Sequence, residues 1–248
     1  MIKEKRYILD TKNYYDIYFI DDEPRDLVLI APGGAYNHTS LREGKPVADF
    51  YLKNGFNAAV VKYRESLDVY PKPGMYYATA IKELRKDKRV KKIIGLGFSA
   101  GGHLVLEETI HYKEYDNARV DLLILCYPVV TSNKKYAHID SFKFLLNERY
   151  NDEALLKKLS LEDEITVDIP DTFLWNTYTD EAVNVMNSIL LVEAYNKVGA
   201  NIEYHMYSKG GHGLSMGNKK TSGNDDKYIV KLVTTWPKLS LNWLKEKL

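Results

Sequence analysis

A single cysteine, Cys126, among 248 residues excludes an intrachain disulfide and any zinc site built on several thiolates. Long hydrophobic runs are also missing: none approaches the ~20 residues that span a bilayer. The opening Met1-Ile2-Lys3-Glu4-Lys5-Arg6 lacks the apolar stretch of a secretory signal. Charge of one sign is scarce as well. Lys plus Arg number 35 and Asp plus Glu 34, a formal net charge of +1, so nothing in the balance calls for nucleic acid or a membrane surface as partner. There is no internal repeat, low-complexity block or evident linker. What is present is 45% hydrophobic and 28% charged residues, the mixture of an ordinary globular protein. The 20 tyrosines suit half-buried positions or an aromatic surface for sugar rings. A cytoplasmic protein with one domain over residues 1–248 is expected; oligomerisation is left open.

Short apolar runs alternate with helical segments. Residues 6–9 and 14–20 read as two strands around the turn-rich Asp10-Thr11-Lys12-Asn13. Residues 27–31, 58–61, 92–96, 122–126 and 172–175 are apolar without alternation, as strands buried on both faces are. Residues 202–207 alternate more. Tyr77, Ala80, Ile81 and Leu84 form one helical face. Ala182, Val185, Met186, Ile189 and Leu190 form another, ahead of Gly199 as a C-terminal cap. Ile229, Leu232, Val233 and Trp236 predict the start of a last helix, interrupted at Pro237. This order implies an α/β fold: a mostly parallel sheet with helices on both faces and an antiparallel N-terminal hairpin at its edge. Residues 131–168 break the alternation. Short helices around Phe142, Leu145 and Leu146 and around Ala154, Leu155, Leu156 and Leu159 make this stretch a cap-like insertion, too short to bury a core of its own.

Three segments carry chemistry. Gly97-Phe98-Ser99-Ala100-Gly101-Gly102 is a G-x-S-x-G motif between a strand and the helical-looking residues 103–111. A serine on such a turn is pushed out of the sheet, and the helix N-terminus aims free N–H groups at the reacting oxygen. Pro32-Gly33-Gly34-Ala35-Tyr36 follows the strand at 27–31 and supplies backbone donors suited to an oxyanion hole. Gly210-Gly211-His212-Gly213 follows the last strand. Of the six histidines, His212 is best placed as general base; His38 lines the pocket in one reading, and His103, His111, His138 and His205 read as packed or peripheral. The acid belongs in the loop after the strand at 172–175, where Asp180 is the candidate and helix capping its competing role. The order Ser99, Asp180, His212 differs from that of trypsin or subtilisin.

With these residues the chain resembles the α/β-hydrolases, and more narrowly their acetylesterase and acetyl-xylan esterase-like group. The likeness also rests on Lys62-Tyr63-Arg64, Asp168-Ile169-Pro170 and Gly210 to Gly213. Pro32 and Ala35 depart from the His-Gly-Gly-Gly of the hormone-sensitive lipase group, and Thr179-Asp180-Glu181 retains one aspartate of a common pair. The resemblance implies oxyanion donors at Gly34, Ala35 and Ala100, no metal and no cofactor. It implies a small-molecule ester substrate, such as a short-chain acyl or acetyl ester on a sugar. An arylformamidase-like amidase, a small serine peptidase and a catalytically dead hydrolase used as a binding module are the alternatives.

Overall fold

Side chains that alternate between two apolar layers explain why the central strands read as unbroken hydrophobic runs. The computed structural model describes residues 1–9 and 11–248; Asp10, part of the expected turn, lies outside the described residues. Eight strands form one sheet: β1 (Ile2–Tyr7), β2 (Tyr14–Phe19), β3 (Arg25–Ala31), β4 (Asn57–Lys62), β5 (Val90–Phe98), β6 (Leu122–Cys126), β7 (Thr172–Thr177) and β8 (Ile202–Tyr207). Their order is β1-β2-β4-β3-β5-β6-β7-β8. β2 pairs antiparallel with β1 and β4, and every other pairing is parallel. This is the mostly parallel sheet with an antiparallel edge hairpin that the sequence predicts. In β3, Leu27, Leu29 and Ala31 face one layer while Val28 and Ile30 face the other.

The first layer is covered by α2 (Lys72–Arg85), α3 (Ala100–Ile110) and α6 (Met186–Val198), the second by α1 (Lys45–Lys53) and α7 (Trp236–Lys247). Residues 131–168 hold the short helices α4 (Ile139–Leu146) and α5 (Glu153–Lys158). No described helix is long and apolar enough to cross a membrane.

Four local expectations need correction. The first strand occupies residues 2–7 rather than 6–9, because Leu9 turns to φ 50° and ends the extended chain. α6 starts at Met186, not Ala182: the Asp180 carboxylate accepts from the Ala182 and Val183 amides and holds that segment as a separate turn. Ile229 and Leu232 lie ahead of α7, which starts at Trp236, so Pro237 sits in its first turn, where a missing N–H costs no hydrogen bond. α1 carries no expected counterpart, although Val47, Ala48 and Tyr51 are its buried face.

Trp236 anchors α7 to the sheet. It is fully buried, stacks on Trp175 at 5.3 Å, meets Phe98 edge-on at 6.0 Å and donates from Nε1 to the Ser215 carbonyl at 2.9 Å. Trp236→Ala removes that volume and orphans the carbonyl. A loss of about 3–5 kcal/mol is expected in urea unfolding.

Candidate active site

Ser99 stands between β5 and α3 at φ 52° and ψ −120°, a conformation that L-residues adopt only under constraint. The constraint is visible on both sides. Its amide donates to the Cys126 carbonyl at 3.0 Å, and its carbonyl accepts from His103 and Val129, each at 3.1 Å. A Cβ on Gly97 would lie 2.5 Å from the Gly101 carbonyl oxygen, and one on Gly101 would overlap the Ala31 carbonyl. The glycines therefore let β5, α3 and β3 approach closely enough to hold the turn.

Asp180, beyond β7, and His212, beyond β8, reach the same end of the sheet. His212 Nε2 is 2.8 Å from Ser99 Oγ, and His212 Nδ1 is 2.7 Å from Asp180 Oδ2. Asp180 Oδ1 accepts from the Ala182 and Val183 amides at 3.0 and 2.9 Å. The turn-capping role and the histidine contact therefore belong to different oxygens of one carboxylate. With the carboxylate acceptor-only, Nδ1 is the donor and Nε2 is left to accept from the serine hydroxyl. The two loops are tied together, since the Thr177 and Thr179 hydroxyls both donate to the Gly210 carbonyl, at 2.8 and 3.0 Å. Glu181 is exposed, and Asp171 lies at the start of β7, paired with Lys247 at 2.9 Å.

Gly33 to Tyr36 curl over Ser99 from the end of β3, with Gly34 at φ 131° and Ala35 at φ 53°. Among the described residues, the Gly34, Ala35 and Ala100 amides have no acceptor. Gly34 and Ala35 line a cavity of about 210 Å³ with His38, Arg42, His138, Ser99 and His212. A serine, a histidine and an aspartate joined by hydrogen bonds, with amides lacking an acceptor nearby, form the kind of arrangement that acyl-transfer chemistry uses.

Known proteins of this shape carry related names. No family model matches the chain. An acetyl ester-xyloside bifunctional hydrolase from Caldicellulosiruptor lactoaceticus is 30% identical, with a TM-score of 0.85 over 98% of this chain and 96% of that one. An α/β hydrolase enzyme from a Medee basin deep-sea metagenome library is 29% identical, with a TM-score of 0.82 over 99% and 97%. The chain belongs to the α/β-hydrolases, in their esterase group. An endo-1,4-beta-xylanase B of Butyrivibrio fibrisolvens is 32% identical over 216 residues, 80% of this hydrolase and 34% of the xylanase. The hydrolase thus spans about a third of that curated relative.

The site of this hydrolase contains residues that sequence reasoning passed over. Glu43 is buried, accepts from the Gly33 amide at 2.8 Å and takes the Tyr127 hydroxyl at 2.6 Å. Tyr127 accepts in turn from the Ser215 amide at 2.9 Å and presents its ring edge-on to His212 at 5.1 Å. Glu43 sits ten residues beyond Gly33, and no local pattern marks it. His138, read as peripheral, lies nearly parallel to the His212 ring at 6.3 Å, with Nδ1 2.9 Å from the Ser141 hydroxyl. Burial, then the neighbouring His212, pulls its imidazole below the ordinary range.

His103 lies beneath the loop, as its reading as a packed residue predicts. Nε2 is 3.1 Å from the Leu159 carbonyl, which only accepts, so Nε2 carries the proton and Nδ1 accepts from the Tyr36 hydroxyl at 2.9 Å. Burial lowers its pKa from the ordinary 6.5 to about 4. The unfolded chain therefore takes up a proton that the folded one refuses between those values, and stability is lost as pH falls through that window. Urea unfolding is expected to weaken from pH 6.5 to pH 4 more steeply in the native protein than in His103→Gln; equal slopes would remove His103 from the acid response.

Proposed function

We propose that the chain is a serine esterase that hydrolyses short-chain acyl esters, acetyl esters on carbohydrate above all. The observation that carries this reading is the unbroken hydrogen-bond chain from Ser99 Oγ through His212 to Asp180, at 2.8 and 2.7 Å. His212 Nε2 accepts the Ser99 proton as Oγ attacks the ester carbonyl, and Asp180 holds the tautomer and stabilises the imidazolium. The Gly34, Ala35 and Ala100 amides receive the developing oxyanion. The alcohol leaves with the proton from His212, and water, activated by the same imidazole, cleaves the acyl-enzyme. The cavity of about 210 Å³ favours short acyl groups, being smaller than the roughly 300–1,000 Å³ of pockets for drug-sized ligands. Likeness to the Caldicellulosiruptor acetyl ester-xyloside hydrolase supports an acylated sugar as the substrate class, and likeness to the Butyrivibrio xylanase supports its carbohydrate part.

A fluorophosphonate probe is expected to label Ser99 and to leave Ser99→Ala untouched, while kcat falls roughly 10³- to 10⁶-fold in that variant. 4-Nitrophenyl acetate and butyrate should exceed laurate in kcat/KM, and the acetate ester should exceed the matching anilide and formamide. Unlabelled protein, or a preference for the amides, would overturn the esterase reading.

Asp180→Asn keeps an oxygen for the Ala182 and Val183 amides but turns an NH2 toward His212. That forces the proton onto Nε2, facing Ser99. A loss of at least ~10²-fold in kcat is expected with little change in melting temperature. Glu181→Gln, on an exposed side chain, should retain native rates, and the reverse pattern would reassign the acid.

A further inference from the structure

The cavity above Ser99 contains a cation that acyl transfer does not use. The chain has eight arginines. Seven donate hydrogen bonds from their guanidinium groups to carboxylates or backbone carbonyls: Arg6, Arg25, Arg64, Arg85, Arg89, Arg119 and Arg149. Among the described residues Arg42 is the exception: its side chain donates to no acceptor, and Nη1 is buried. The group is nonetheless held in place. Its guanidinium carbon lies 3.6 Å from the centre of the Tyr228 ring, and its backbone carbonyl accepts from the Ser215 hydroxyl at 2.8 Å. Nη2 lies 3.3 Å from the point a Gly213 Cβ would occupy, so one edge of the fork rests beside the residue after His212.

Neighbouring carboxylates are engaged elsewhere. Both Glu43 oxygens are taken, by the Gly33 amide and the Tyr127 hydroxyl. Asp225, on the segment that carries Tyr228, pairs with Lys227 at 2.8 Å and meets Arg42 only through space, without a hydrogen bond. Arg42 is half-buried with Nη1 shielded from water, a donor that gains from a partner, and the planar guanidinium fork matches a carboxylate. Stacking on Tyr228 satisfies the face of the ion and leaves its edge donors free. In acyl transfer the imidazole hands its proton to the departing alcohol, so a cation beside His212 lies on the leaving-group side.

We propose that Arg42 binds a carboxylate on the alcohol part of the substrate, so that the ester hydrolysed is one borne by an acidic alcohol such as an O-acylated uronic acid. This rests on the esterase reading above.

The test compares acetate release from O-acetylglucuronate and from its neutral isostere O-acetylglucuronamide. The native protein is expected to favour the acid at least about tenfold in kcat/KM, the scale of a partly desolvated charge pair. Arg42→Gln should bring the ratio near unity, and Arg42→Lys should retain part of it. A native ratio near unity, or a ratio unchanged in Arg42→Gln, overturns the proposal. A measurement that needs no variant accompanies it: glucuronate should inhibit 4-nitrophenyl acetate hydrolysis competitively, at concentrations at least about tenfold below those of glucose. Equal inhibition by the two sugars counts against Arg42. If 4-nitrophenyl acetate is hydrolysed without either preference, the anion subsite alone fails. If that ester is not hydrolysed and Ser99 is not labelled, the esterase reading fails with it.

Discussion

The backbone of Ser99, at φ 52° and ψ −120°, is the constraint around which this end of the molecule is organised. A strained residue of this kind costs about 1–3 kcal/mol and persists only where its surroundings over-determine it. Here the surroundings are three separate chain segments. β6 supplies the Cys126 carbonyl and, beyond its end, the Val129 amide; α3 supplies the His103 amide; and β3 comes so near Gly101 that no side chain fits between. Only a parallel sheet in the observed order brings β3, β5 and β6 side by side, so the turn and the topology depend on each other.

From that turn a buried polar network spreads into both layers. Glu43 links the amide of Gly33 to the hydroxyl of Tyr127, Tyr127 reaches the Ser215 amide, and the Ser215 carbonyl receives the indole N–H of Trp236. One carboxylate thus connects the loop after β3, the residue after β6, the segment after His212 and the start of α7. On the other side Tyr36, His103 and the Leu159 carbonyl join the same loop to α3 and to residues 131–168. Burial keeps the Tyr36 hydroxyl protonated, as its role as donor to a neutral imidazole requires. These groups are far apart in sequence and satisfied in full, which is the condition under which polar networks rigidify a core.

Arg42 and Glu43 are adjacent in sequence and opposite in circumstance. Both oxygens of Glu43 are occupied inside the protein, while the donors of Arg42 meet no acceptor among the described residues. A buried carboxylate with two donors is a structural device; a half-buried guanidinium with an aromatic face, a buried Nη1 and free edges is a place prepared for something else.

Strand runs, the antiparallel edge hairpin, and Ser99, Asp180 and His212 as candidates were legible in the sequence, because each leaves a local mark. A strand buried on both faces needs an unbroken apolar run, and a strand-to-helix turn that crowds three backbones needs glycines at set offsets. Helix starts were legible less well. Asp180 precedes an apolar helical pattern as a cap would, and only its second bond, to His212, and the turn it holds delay α6 to Met186. Pro237 suits the interior break of a helix and the first turn of one equally, and the packing of Trp236 decides between them. Glu43, His138 and Arg42 had no local signature at all. Their partners lie on other strands and loops, so which carboxylate is filled, which imidazole faces which, and which arginine finds no acceptor among the described residues were decided by the tertiary structure alone.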